Sequence, residues 1–321
     1  MQVSICIVSY NCREELLDCL RSIEEHGAGV QHEVIIVDNA STDGSAEAAE
    51  RACSYARVLR NSENRGFAAA ANQAAKLARG QILLFLNPDT ELKPGALDRV
   101  WHFLHERPWV GACGLRLIDS EGKLIRSCRR FPSLWTVTCE ALGLSQLFPR
   151  TRLFGSYDLG WWAYDRSRPI DWVSGAALAI TRRAWELVGP FDEGFFIYAE
   201  ELDWLRRLRR AQLECWYVHD AVVSHRDGRS WEGLDVLRVL WSHWSLWHYF
   251  RKHHGRWHAA LVRLMTGLGA ALRILVWLLI SVAPSLRKTG LTRAGVHELV
   301  LRQCLTGYRP SFPGASRPAA R

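Results

Sequence analysis

Three apolar runs constrain the fold most: VSICIVSY (3–10), EVIIVDNAS (33–41) and QILLFLNPDT (81–90). Each is dominated by Val, Ile or Leu and then ends in polar side chains. A strand with one face in water alternates apolar and polar residues. An unbroken run is buried on both faces, as in a parallel sheet covered by helices. Helical stretches separate the runs. REELLDCLRSIEEH (13–26) repeats Leu16, Leu17, Leu20 and Ile23 at helical spacing, a second helix covers roughly 44–53, FAAAANQAAKLAR (67–79) is Ala-rich, and another spans about 94–107. Val58 and Leu59 mark a short additional strand. The predicted class is α/β, with a mostly parallel central sheet and helices on both faces. Such sheets bind ligands at the carboxyl ends of their strands. Here those ends carry Ser9-Tyr10-Asn11, Asp38-Asn39 and Asn87-Pro88-Asp89.

With 321 residues, 48% hydrophobic and 23% charged, the chain can bury a full core without staples and is not a disordered polymer. Nine cysteines, an odd number with no CxxC pair, read as reduced and mostly buried thiols. The start, MQVSICIVSYN, has neither a basic n-region nor a long apolar h-region and reads as a strand, so no signal peptide is expected. Neither a GxGxxG fingerprint nor a Walker A loop occurs, which argues against a Rossmann dehydrogenase and a P-loop NTPase.

The residues after 110 are less regular. RSCRRFP (126–132) is basic and GWWAYDR (160–166) aromatic; WVSGAALAITR (172–182) reads as a strand, AEELDWLRRLRRAQ (199–212) as a helix, and CWYVHDAVVSH (215–225) as a strand pair or a bent strand. Five features carry candidate chemistry. NPDT places Asp89 at a strand end behind a rigid Pro, suited to a hard divalent cation, although Asn-Pro-Asp also makes an ordinary turn. VDNASTDGS sets Asp38, Asn39 and Asp43 around another strand end, either for a base and ribose or as an Asx-rich cap. NSENRGFAAAAN brings Arg65 and Gly66 to a helix N-terminus that favours anions. Glu200, Glu201 and Asp203 follow an aromatic loop, as catalytic carboxylates or as a first turn complementing the helix dipole. His225 ends an apolar strand as a metal ligand or a structural His.

Taken in order, VSICIVSYN, VIIVDNASTDGS, NRGFAAAANQ, LLFLNPDT, DWVSGAALAITRRAWELVGPFDEGFFIYAEELDWLRRLR and YVHDAVVSHRDGRS resemble family 2 glycosyltransferases over residues 3–230. The closest resemblance is to the bacterial rhamnosyltransferase-like branch, where NPD stands in place of DxD. The resemblance implies a GT-A nucleotide-diphospho-sugar transferase fold with a C-terminal helical extension. It also implies inverting transfer of a sugar from a nucleotide-diphosphate donor, aided by Mg2+ or Mn2+; the branch points to rhamnose from its dTDP donor. By the same resemblance Ser9, Tyr10, Asn11, Asp38, Asn39, Asp43, Arg65, Gly66 and Asn87 would meet the donor nucleotide, and Asp89 and His225 the metal or diphosphate. Glu201 takes the place of the catalytic base, with Glu200 and Asp203 as alternates; Trp172, Gly175 and Arg226 fall on the acceptor side. Two departures stand out. The usual Glu-Asp-x-Asp is Glu200-Glu201-Leu202-Asp203, and the His and glycines expected after His225 are replaced in HRDGRS. A catalytically degenerate binding or scaffold protein of the same fold is the alternative.

The catalytic domain is thus expected over 1–230, a basic Trp-rich helical segment over 231–310, and a disordered tail over 311–321. The net charge of +8 is unevenly placed: residues 251–321 carry 12 Lys/Arg against one acid, +11, leaving −3 for the first 250. Trp241, Trp244, Trp247 and Phe250 recur about once per turn, and 264–286 is apolar but carries Arg273 and ends near Pro284. Trp and cations bordering an apolar helix are what a membrane interface selects. A helix lying on an anionic membrane surface is expected in preference to a span or to nucleic-acid binding, alongside the option that the Trp stripe packs on protein. The expected location is cytoplasmic, at the inner face of the plasma membrane, with a glycan or polyprenyl-linked acceptor.

Overall fold

A computed structural model describes residues 1–226 and 235–311. Asp227, the rest of HRDGRS, residues 231–234 and the 312–321 tail lie outside the described residues.

The apolar runs form strands β1 (Val3–Ser9), β2 (His32–Asp38) and β4 (Ile82–Leu86), with β3 (Arg57–Arg60) at the edge. These four lie parallel in the order β3-β2-β1-β4. Helices α1 (Arg13–His26), α2 (Ser45–Ala52), α3 (Phe67–Leu77) and α4 (Ala96–His105) connect and cover them. In α1 the periodic residues Leu16, Leu20 and Ile23 are buried, Glu14 and Glu15 complement the dipole in the first turn, and Gly27 ends the helix. Helix α3 buries Ala68, Ala70, Ala71 and Ala74, whose small side chains let the helix lie close to β1 and β2.

Beyond β4 the sheet changes character. The run 81–90 does not continue as one strand. It stops at Leu86, turns through Asn87-Pro88-Asp89, and Thr90–Leu92 (β5) pairs elsewhere. The segment 172–182 divides into β10 (Trp172–Val173) and β11 (Ala177–Thr181) because β10 leaves the main sheet to pair antiparallel with β8 (Cys128–Arg129). Strand β11 is antiparallel to both β4 and β6 (Val110–Ile118), and β12 (Glu214–His225) runs parallel to β6. Strand β12 is one long strand bent by a register shift between Val218 and Val222. Short strands β7 (Leu124–Ile125) and β9 (Arg168–Ile170) pair with β6 and β12, and β5 closes the far edge antiparallel to β12. The core lies between this sheet and its helices, with Ile5, Ile7, Leu84 and Val223 fully buried.

Helices α5 (Leu134–Ala141), α6 (Leu144–Leu147), α7 (Arg182–Val188) and α8 (Glu200–Arg210) follow in chain order. After them come α9 (Asp235–His254), α10 (Arg256–Ile280) and α11 (Arg287–Thr306). Two compact units result. One joins residues 1–130 with 164–226 and holds the sheet; the other joins 131–163 with 235–311 and is helical. A single cut near 230 therefore does not describe the packing. Helix α5 packs on α10, Arg273 donates from Nη1 to the Ala141 carbonyl at 3.1 Å and from Nη2 to that of Glu140, and Gly269 passes so close that a Cβ there would lie 2.7 Å from the Ala141 oxygen.

Candidate active site

The carboxyl ends of β1, β2 and β4 converge, and hydrogen bonds tie their loops together. The Asn39 N–H donates to the Ser9 carbonyl (2.8 Å), and Asn11, at φ 47°, accepts from the Thr42 N–H (2.8 Å) while its own N–H donates to the Ser41 hydroxyl (3.0 Å). Ser9 is buried, with its Oγ against Cys12 Sγ, and Tyr10 is half-buried beside it. Asp38 accepts the Ser41 N–H at Oδ1 (2.9 Å), while its enclosed Oδ2 has no hydrogen-bond partner among the described residues. A buried acceptor left unmade costs about 1–3 kcal/mol, so Oδ2 is a ready seat for a ligand donor group.

Asn39 and Asp43 are already committed. Asn39 Oδ1 accepts from Asn61 Nδ2 (3.0 Å) and the Arg65 N–H (3.1 Å), and its Nδ2 donates to Asn64 (3.0 Å) and the Gly66 carbonyl (3.2 Å). Its amide shapes the NRGF loop. Asp43 accepts the Arg13 N–H at 3.0 Å, and the Ser45 N–H at 3.0 Å and hydroxyl at 2.5 Å, so it ties the starts of two helices together. Burial pushes its pKa up, but these hydrogen bonds outweigh burial and hold the carboxyl below its ordinary value. The Arg65 side chain is exposed at the mouth of this loop. Gly66 has φ +82°, and a Cβ would lie 2.4 Å from the Phe196 carbonyl oxygen, to which the Phe67 N–H donates at 2.7 Å. The NRGF loop is therefore locked onto the aromatic loop that precedes α8.

The Asn-Pro-Asp turn is fixed by the Asn87 N–H donating to the Ala176 carbonyl (2.9 Å) and by Thr90 Oγ1 donating to the Asn87 carbonyl (2.6 Å). The register of β5 on β12, with Thr90 opposite His225, brings two distant sequence positions together. His225 Nε2 lies 3.2 Å from Asp89 Oδ1, both nearly buried. An octahedral ion with bonds of about 2.1 Å has adjacent ligands about 3.0 Å apart, so this pair fits two neighbouring positions on Mg2+ or Mn2+. No cluster of three or more His, Cys, Asp or Glu occurs among the described residues. Arg226, expected on the acceptor side, is drawn away. Its Nη1 bonds Asp18 at 2.7 Å and its Nη2 bonds Glu91 at 2.8 Å, pinning α1 to the edge strand.

The three carboxylates of α8 separate by environment. Asp203 is fully buried and bonds Arg207 Nε at 3.0 Å, and Arg207 also donates to the Val188 and Pro190 carbonyls (2.7 Å each). It anchors the helix. Glu200 is buried, and its Oε2 has no partner among the described residues. Glu201 is partly exposed; its Oε1 accepts the Gly175 N–H at 3.3 Å and its Oε2 is enclosed without a described partner. Burial raises the pKa of both glutamates, and the charge of Glu201 raises Glu200 further; the backbone N–H groups that bond Glu201 and the Arg129 guanidinium temper its rise. Tyr198 and Ala199, at φ 66° and 63°, hold the left-handed conformation immediately before this pair, a costly arrangement for residues with a Cβ.

Trp172 is buried, donates its indole N–H to the Arg130 carbonyl (2.9 Å), and carries the Arg129 guanidinium over its ring at 5.4 Å. Arg129 is the one site residue given no role from sequence. The signal was the basic RSCRRFP stretch; the β8–β10 pairing that carries Arg129, whose positive charge lowers the Glu201 pKa, was not visible there.

Residues 4–155 match the profile "Glycosyl transferase family 2". The chain is similar to N-acetylglucosaminyl-diphospho-decaprenol L-rhamnosyltransferase of Mycobacterium tuberculosis, 31% identical over 71% of this chain and 78% of that one. It is also similar to Rhamnosyltransferase WbbL of Escherichia coli, 26% identical over 48% of this chain and 56% of the other. Among solved structures, the mannosyltransferase PcManGT from Pyrobaculum calidifontis, in complex with GDP-Man and Mn2+, superposes with a TM-score of 0.56 at 17% identity, covering 96% of this chain and 88% of that one. That likeness is one of fold. A GT-A sheet, a strand-end Asp facing a His, and a rhamnosyltransferase-like sequence over most of its length place this chain in glycosyl transferase family 2.

Proposed function

We propose that the chain transfers a sugar from a nucleotide-diphosphate donor, rhamnose from dTDP-rhamnose being the best-supported one, to a hydroxyl of a polyprenyl-linked or polysaccharide acceptor, with inversion at the anomeric carbon. The sugar and acceptor rest on the similarity to the decaprenol-linked rhamnosyltransferase. The observation that supports inversion is Glu201: a partly exposed residue whose carboxyl is anchored through one oxygen by the Gly175 N–H, while its other oxygen is enclosed with no partner among the described residues. Inversion needs one carboxylate to take the acceptor proton as its oxygen attacks from the face opposite the leaving diphosphate. Of the two alternates, Asp203 is committed to Arg207, and Glu200 is buried. Asp38 Oδ2 accepts from the nucleoside, Tyr10 lines it, and the exposed Arg65 meets phosphate charge. Asp89 and His225 would hold a divalent cation, which when bound neutralises charge on the departing diphosphate. A membrane-borne acceptor puts the work at the cytoplasmic face.

The test is a panel of nucleotide sugars offered with Mg2+ or Mn2+ and an N-acetylglucosaminyl-diphospho-polyprenol, with the product's anomeric configuration read by NMR. Configuration opposite to that of the donor is expected. Retention overturns the mechanism, and nucleotide binding without turnover of any donor turns the reading toward a scaffold. Glu201→Gln should lower turnover by about 10²–10⁴-fold with donor affinity nearly unchanged; full activity removes Glu201 from its role.

A further inference from the structure

Helix α10 is long and apolar enough to cross a membrane, yet its faces are unlike one another. Val262, Thr266, Gly269 and Ala270 are buried against α5 and α11, and Arg273 on the same side spends its guanidinium on the carbonyls that end α5. The opposite face is bare. Trp257, Leu261, Leu264, Leu268, Leu275 and Leu279 follow helical spacing and are all exposed, Trp257 by 84% and Leu279 by 64%. At 1.5 Å per residue the stripe runs for about 33 Å. Soluble surfaces rarely carry so long an unbroken apolar face without a partner. The face continues past the helix into Val282, 78% exposed, and Leu286.

The surroundings select the partner. Exposed Arg251, Lys252 and Arg256 border one end of the stripe, and Arg287 and Lys288 the other. Residues 251–321 carry 12 basic residues and one acid. A second copy would oppose the same positive charge to itself, whereas anionic headgroups over an acyl layer complement both the charge and the apolar face. A bilayer span would carry Arg273 and the α5 carbonyls it bonds into the hydrocarbon.

We propose that α10 is an in-plane membrane seat, its Trp257–Leu279 face in the acyl boundary of an anionic bilayer and the flanking cations among the headgroups. The stripe is independent of the catalytic residues, so the seat stands or falls apart from the transfer reaction. The experiment is flotation of the full chain with vesicles of phosphatidylcholine, with and without phosphatidylglycerol, at low and high salt. The protein should float with the anionic vesicles, less so at high salt, and alkaline carbonate should release it. Leu268→Ser/Leu275→Ser/Leu279→Ser should lower partitioning about tenfold or more while leaving nucleoside-diphosphate affinity and circular dichroism unchanged. Should the triple variant unfold, Leu275→Glu alone should weaken flotation in the same direction. The proposal is overturned if the folded variants float like the parent or if carbonate leaves the protein in the membrane. It is equally overturned if the parent fails to float and the substitutions convert a dimer to a monomer.

Discussion

Glu200 and Glu201 occupy consecutive positions behind two left-handed residues, and their environments differ where it matters. Burial disfavours the ionised form of each, and the negative charge of Glu201 adds to that effect at Glu200. For Glu201, burial outweighs the Gly175 N–H and Arg129, so its folded pKa stays above the ordinary carboxylate value. A base works only when ionised. The acid limb of kcat/KM is therefore expected above the ordinary carboxylate range, in a profile measured with saturating metal. Glu200 has the opposite consequence for stability. A carboxyl whose folded pKa is raised leaves stability intact below its unfolded pKa and penalises the folded state increasingly as pH rises from there through the folded pKa. Glu200→Gln should thus stabilise by roughly 1–3 kcal/mol at neutral pH, with the gain vanishing once the pH falls below the unfolded carboxyl's ordinary value. Melting curves across pH check this. Asp203 behaves differently: Asp203→Asn strips the carboxylate from Arg207 and should cost about 3 kcal/mol, while turnover of the folded fraction holds. A large fall in kcat with an unchanged melting temperature would make Asp203 the base instead.

The NRGF loop and the aromatic loop before α8 act as one element. The Gly66 backbone at φ +82° lies against Phe196, so the segment proposed to meet the donor and the segment carrying the proposed base share an anchor. Gly66→Ala meets both penalties, a Cβ in the left-handed region and a contact of 2.4 Å with a carbonyl oxygen. Destabilisation of about 2 kcal/mol or more is expected. Nucleotide affinity and turnover should fall together, as read by thermal shift and steady-state kinetics. In sequence β1, β2 and β4 were legible because each lies in a long apolar run, and so was the polar shell at their ends. The pairing beyond was not. A two-residue strand such as β8 or β10 has no periodicity of its own and exists only through its partner. The same limit hid the destination of the Arg226 side chain, since Asp18 and Glu91 become its neighbours only in three dimensions. Asn39 is the converse case. An Asn at a strand end suits a base edge or a loop brace equally, and only the positions of Asn61, Asn64 and Gly66 decide between them.

Over the whole molecule, all nine cysteines are buried and unpaired in both units, as their places inside apolar runs indicated. Burial carries the Cys6 and Cys12 thiols to about 12, far from the thiolate form. Native protein should therefore react slowly with a thiol reagent, releasing its full nine equivalents only after denaturation, and reductant should leave the melting temperature unchanged. The division into two units was only half legible. The change to Trp, His and Arg after 231 marked the helical unit, but residues 131–163 belong to it through α5 and its capping by Arg273, a contact between distant segments that composition does not encode. Such distance in sequence also bears on how the chain reaches its native state. Asp89 emerges early in synthesis, and His225 136 positions later; they meet only when β5 zips onto β12 at the last edge of the sheet. A ligand bridging the two side chains binds the finished sheet and not its precursors, so by mass action it draws the closing of that edge to completion. A ligand held by both side chains would thus weigh on the closing of that one edge and on no other pairing of the sheet.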